Sequence, residues 1–234
     1  MISGTPTAAG ESTFTVRLQD NDGTEATKTL TLNIDAETQT EPPANAIIAV
    51  GDTWRYFKGT AFPGANWAGL AFDDGSWLQG PTGIGYSDGD DATKLNDMPG
   101  NYITVYTRKP FSIDSAAAVT AMTLSVDYDD GMIAYLNGTE VARANMPDGT
   151  PDHTTASAND REAGTAVDFD LTAFLNLLVD GVNVLAIEVH NRSLSSSDLS
   201  LIPVLTADIS EPSPPPEPEP APEPQPTPEP QPAP

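Results

Sequence analysis

Apolar residues recur at every second position along most of this chain, and that period of two constrains the fold more than any other feature. "STFTVRLQD" places Phe14, Val16 and Leu18 on one side, and "TLTLNI" does the same with Leu30, Leu32 and Ile34. Further on, "LSVDY" aligns Leu124, Val126 and Tyr128, and "NVLAIEVH" aligns Leu185, Ile187 and Val189. Such alternation is the mark of strands with one buried face. From Ile47 to Ile209 the spacing predicts about eight strands, over 54–58, 102–113, 120–128, 132–136, 139–144, 166–170, 183–190 and 200–208. Helical spacing occurs once, in "LTAFLNLLVDG" (171–181), with Leu171, Phe174, Leu175 and Leu178 on one stripe and Gly181 as the cap. The expected fold is all-β: a jelly-roll β-sandwich with one short helix.

Turn residues mark where the strands reverse. Asn137-Gly138 suits a two-residue hairpin, because both positions need positive φ. "DDG" (129–131) makes an earlier reversal, so 124–143 reads as a three-strand meander. Met132, Ala134, Leu136 and Val141 fall on one face of it, with Ile133, Tyr135, Glu140 and Ala142 on the other. Glu188 and His190 likewise share the face opposite Leu185, Ile187 and Val189.

Both ends differ from this middle. Residues 211–234 hold 13 prolines in 24 positions, too many for a core, so they read as a disordered, extended linker. Residues 1–35 supply only two strands around "NDG", and an isolated hairpin is marginal. The expected domains are therefore 1–35 as an incomplete two-strand segment, 36–46 as a linker, 47–209 as the sandwich, and 210–234 as the Pro/Glu-rich linker.

Charge and composition remove several classes of function. Ten Lys and Arg face 34 Asp and Glu, a formal net charge of −24. No basic face exists for nucleic acid or anionic lipid. No Cys is present, which excludes disulfides and thiol chemistry. No run approaches a membrane span. "GYSDG" (85–89) fits the G-x-S-x-G pattern around Ser87, but that motif needs a helix after the serine and no apolar stripe follows. No nucleophile, base and orienter converge, so a non-catalytic protein is expected.

Two kinds of candidate site remain. Acidic turns offer hard oxygen ligands, making Asp73, Asp74, Asp129 and Asp130 candidates for a structural calcium. Hydrogen bonding to nearby backbone is the simpler reading of aspartates at such turns, and neither "DNDGTE" nor "DGDDATKLND" fits the EF-hand pattern. The second kind is aromatic. Flat rings stack on pyranose faces, with a few polar groups for the hydroxyls. The candidate ligand-binding residues are Trp54, Tyr56, Trp77, Tyr86, Tyr135, Arg143 and His190. An exposed aromatic platform would favour sugar binding, whereas buried tryptophans would favour a structural role.

Two stretches resemble known families. "SGTPTAAGESTFTVRLQDNDGTEATKTLTLNI" resembles the C-terminal end of bacterial immunoglobulin-like repeats of the putative-Ig and cadherin-like kind. That resemblance implies that 1–35 are the last strands of an incomplete repeat and that the chain is a piece of a longer multidomain protein, which would explain the absence of a signal peptide at its start. "WRYFKGT", "FDDGSWLQGPTGIGYSDG", "YITVYTRKPF", "VDYDDGMIAYLNGTEVARANMP" and "GVNVLAIEVHN" occur in the order of a galactose-binding-like jelly-roll module common in large secreted bacterial proteins. Gly75 and Thr107 depart from that pattern, where Ser and an aromatic are usual. The resemblance implies a non-catalytic, extracellular or cell-surface accessory module that binds polysaccharide or glycan and carries a structural calcium. Its partners would include the neighbouring domains of the longer chain, with no nucleic acid and no membrane insertion. The alternative is a structural spacer or adhesion module with protein partners.

Overall fold

The computed structural model describes residues 10–34, 43–87 and 89–210, and the chain divides into two units at Pro42 and Pro43. The expected linker over most of 36–46 and the Pro-rich segment lie outside the described residues.

In the first unit, β1 (Gly10–Gln19) pairs antiparallel with β2 (Glu25–Ile34), with Phe14 opposite Leu30. The Asp20 carboxylate closes the turn by accepting the amide N–H groups of Asp22 and Thr24 at 3.0 and 2.8 Å. Leu18 and Leu32 on the alternating face are exposed.

The described residues of the second unit hold twelve strands: β3 (Ala46–Ile48), β4 (Thr53–Lys58), β5 (Leu78–Pro81), β6 (Ile84–Gly85), β7 (Thr93–Lys94), β8 (Thr104–Ile113), β9 (Val119–Tyr128), β10 (Gly131–Leu136), β11 (Thr139–Ala144), β12 (Val167–Asp170), β13 (Gly181–His190) and β14 (Leu201–Ile209). A six-stranded antiparallel sheet runs β11-β10-β13-β8-β4-β5, and a four-stranded one runs β12-β9-β14-β3. Their facing sides interdigitate as a β-sandwich. Trp54, Val105, Met132, Leu185 and Ile187 from the larger sheet meet Leu124, Val126, Leu201 and Leu205 from the smaller. The eight expected strands are all present within a residue or two. β3 and the short β5, β6 and β7 were not foreseen, because two to four residues are too few to show a period.

Asn137 and Gly138 have φ of 51° and 92°, as a tight hairpin turn requires. The Asn137 amide also donates to the Leu177 carbonyl and accepts the Val184 amide, each at 2.8 Å, tying the hairpin to the segment before β13. That segment, Thr172–Leu177, is a 3₁₀ helix rather than an α-helix. Leu171 and Leu178 still reach the core, with Phe174 and Leu175 packed against it. Thr107, where an aromatic was expected, is buried with its hydroxyl donating to the Ile187 carbonyl at 2.9 Å.

Candidate functional site

Alternation gives the six-stranded sheet a second face, away from the sandwich core. Tyr106 and Arg108 from β8, Tyr135 from β10, and Ala186, Glu188 and His190 from β13 stand on it. The loop after β4 folds over this face, and Trp67, Ala68 and Trp77 pack there against Tyr106, Val184 and Ala186.

Arg108 holds that loop in place. Its side chain is only 3% exposed, and its Nε donates to Asp74 Oδ2 at 2.7 Å. One terminal nitrogen donates to the carbonyls of Trp67 and Gly69, the other to that of Phe72. The guanidinium carbon also sits 5.3 Å from the centroid of the Phe72 ring. Guanidinium is a rigid planar fork of donors, so one side chain fixes four acceptors on one loop. The wall built this way is therefore rigid without any helix or strand of its own.

Between this loop, the β10–β11 turn and Thr150-Pro151 lies a groove of about 840 Å³. Phe62, Trp67 and Phe72 from the loop and Tyr135 and Glu188 from the sheet line it. Trp67 meets Tyr135 edge-on, at 5.5 Å between centroids and 76° between planes. The Tyr135 hydroxyl donates to Glu188 Oε1 at 2.6 Å. Burial, then the negative charge of Glu188, pushes the Tyr135 hydroxyl well above its ordinary pKa, so it remains a donor. Behind them, His190 Nε2 lies 3.2 Å from Glu188 Oε2, and Nδ1 lies 2.8 Å from the Thr155 carbonyl. Nδ1 also lies 2.9 Å from the Thr104 hydroxyl, so both ring nitrogens have partners. A buried network thus orients the sheet side of the groove.

Of the seven aromatic and polar candidates read from sequence, only Tyr135 lines this groove. Trp54 and Tyr56 point the other way, into the sandwich core, and are 1% and 9% exposed. No ring face is left there for a ligand. Trp77 is buried under Phe57, Phe72 and Trp67. His190 is wholly buried and acts on the groove through Glu188. Arg143 is taken up by Glu140 at 2.8 Å and by the carbonyls of Pro147 and Gly149. Tyr86 is remote from the groove lining, with its hydroxyl donating to the Ser196 carbonyl and accepting from Asn191. Trp67, Phe62, Phe72 and Glu188 line the groove as well, though none was a candidate from sequence. Glu188 had a usable signal, since it stood on the polar face of an otherwise apolar strand.

The calcium candidates separate in a similar way. Asp74 has Arg108 as partner and Arg55 at 3.9 Å, so its charge is already met by cations. Asp73 Oδ1 accepts the Gly75 amide at 2.9 Å, closing a turn. Asp130 accepts the backbone amides of Arg161 and Arg192, each at 2.7 Å, and so fastens two loops to the β9–β10 turn. Asp129 is the one expected acid that joins a metal-capable cluster. Its carboxylate lies with those of Glu162 and Asp198, with ligand atoms within 4.8 Å of one another. Tyr86 stands nearby, and its hydroxyl pKa is raised by burial first, with Asp198, Asp129 and Asp130 adding to the effect. Three carboxylates, one of them buried, form a donor set suited to a hard cation.

No family model matches the chain, and no curated protein matches it. Solved structures do show likeness. A glycosyl hydrolase family 2 member from Bacteroides cellulosilyticus is similar over 67% of this chain and 20% of its own, at 20% identity and a TM-score of 0.44. Bacteroides uniformis beta-glucuronidase 2 is similar over 68% of this chain and 17% of its own, at 19% identity and a TM-score of 0.47. An uncultured Clostridium beta-glucuronidase is similar over 88% and 30%, at 11% identity and a TM-score of 0.43. The chain therefore spans less than a third of the length of these proteins.

Proposed function

We propose that this chain is a non-catalytic accessory module of a longer secreted or cell-surface protein, and that it binds carbohydrate in the groove on the outer face of the six-stranded sheet. The observation that supports this is the groove itself: aromatic rings on a rigid wall, with Tyr135 and Glu188 held in place on the sheet. Rings cover the apolar face of a pyranose while oriented polar groups meet its hydroxyls. Binding through a few such contacts is weak, with a Kd on the order of 0.1–1 mM. A glycan array probed with the full chain tests it. The expected result is binding to a defined glycan class, reduced at least fivefold by Tyr135→Phe, with no sugar released. Failure to bind any glycan, with or without calcium, overturns the reading. Hydrolysis that Ser87→Ala abolishes would make the chain an enzyme instead.

One observation favours the structural alternative. Trp54, Trp67 and Trp77 are 1%, 6% and 7% exposed, so none is an open platform. A spacer or adhesion module would be silent on the array and would bind protein instead.

We further propose that Asp129, Glu162 and Asp198 hold a structural calcium. The ion would neutralise three acids brought together by the β9–β10 turn and the loops around residues 162 and 198. Ligand binding to the folded state alone adds about 2.7 kcal/mol at a concentration 100 times Kd, roughly 5–10 °C of Tm for a domain of this size. Calorimetry in calcium and then in EDTA should show that difference, and Asp198→Asn should remove it. An unchanged Tm would contradict the site.

A further inference from the structure

We infer that the groove selects its glycan by charge, taking an uncharged chain and rejecting one that carries uronate carboxylates. The inference rests on the carbohydrate reading above and deepens it. The charged groups among the described residues lining the groove are Asp73 and Glu188, and no Lys, Arg or His is among them.

The cations packed nearest are committed elsewhere. Arg108 lies beneath the loop, held by Asp74 and three carbonyls. Arg143 is chelated by Glu140, with Nε and one terminal nitrogen each 2.8 Å from that carboxylate and the other terminal nitrogen on the Pro147 carbonyl. His190 is separated from the groove by Glu188, on which its Nε2 bears. Among the described residues lining the groove, no donor of positive charge is therefore placed to meet a ligand carboxylate.

An ionised carboxylate only accepts hydrogen bonds. Glu188 is only 2% exposed and its two oxygens are met by Tyr135 and His190, so sugar hydroxyls donate to the exposed Asp73, and a neutral pyranose complements the lining. A uronate adds another acceptor of the same sign, next to aromatic surface that lowers the local polarity and strengthens the repulsion. The chain's net charge of −24 acts in the same direction at long range. That long-range part is screened within about 8 Å at physiological salt, whereas repulsion inside the groove persists.

Isothermal titration of the full chain at about 0.15 M salt tests this with two sets of probes. One set is neutral: glucan, xylan, galactan and mannan oligosaccharides. The other is uronate: oligogalacturonate and oligomannuronate. The expected result is that at least one neutral probe binds and that every uronate binds at least tenfold more weakly. Asp73 is exposed and its Asn replacement keeps an oxygen acceptor, so Asp73→Asn should fold normally. It should narrow the gap about threefold by strengthening uronate binding. A uronate that binds more tightly than every neutral probe overturns the charge filter and leaves carbohydrate binding standing. Discrimination that Asp73→Asn leaves untouched overturns its placement in the groove. Binding to neither set overturns both readings.

Discussion

Replacing Arg108 with Ala is expected to destabilise the second unit by about 3 kcal/mol and to dismantle the groove wall. The change strips Asp74 of its main partner and removes the guanidinium donor from the carbonyls of Trp67, Gly69 and Phe72, of which Gly69 keeps the Phe72 amide at 3.3 Å. Removing one member of a buried pair costs about 3–5 kcal/mol. Asp74 is 23% exposed, so water recovers part of that. Lysine in the same place keeps the charge but not the fork, and should recover only part of the loss. Urea unfolding of the full chain measures both variants. A loss below about 1 kcal/mol for the alanine variant would show that the loop is held by its aromatics alone.

Gly85→Ala should be at least as damaging, at about 4 kcal/mol or more. A Cβ at this position would fall inside contact distance of the Leu199 carbonyl oxygen and the Asp91 carboxylate. Tyr86, the next residue, exchanges backbone hydrogen bonds with Leu199 at 2.9 and 3.2 Å, and the Gly85 carbonyl accepts from Leu95 at 2.7 Å. Relief of the clash requires the chains to separate and those bonds to break. The same position explains "GYSDG". Gly85 permits a close approach of two chain segments, Ser87 and Gly89 have φ of 80° and 97°, and β6 leads into a loop with no helix among its described residues. A thermal melt within about 2 °C of wild type would contradict this account.

The sandwich was legible because the inward face of its strands is regularly apolar. Leu185, Ile187 and Val189 enter the sandwich core while Glu188 and His190, buried as well, stand on the opposite face, and alternation alone reveals that division. Asn137-Gly138 was legible because so few residue pairs accept two positive φ angles. The groove was much less so. It depends on a loop of more than fifteen residues wrapping one arginine, and no period in "AFPGANWAGLAFDDGSW" shows that Arg108 will meet it. The tryptophans misled for a related reason. Trp54 and Trp67 have the same composition signal, yet strand parity sends Trp54 to the inner face while the loop lays Trp67 on the outer one. Asp129 and Asp130 are adjacent in sequence but divide their roles, because Asp130 fastens two distant loops and Asp129 joins two distant acids. Sequence can place the acids on a turn, but not the loops that later converge on it.

Heteronuclear NMR of the full chain, titrated with whichever neutral oligosaccharide binds in the calorimetric series, tests the central claim most directly. The three tryptophans give three indole N–H signals in three environments. The account predicts that the Trp67 signal and the backbone signals of Asn66, Gly138 and Thr139 move with ligand, while the Trp54 signal stays fixed. Shifts confined to residues around Tyr86 and Asp129, or no shifts at all, would contradict the assignment of the groove as the binding site.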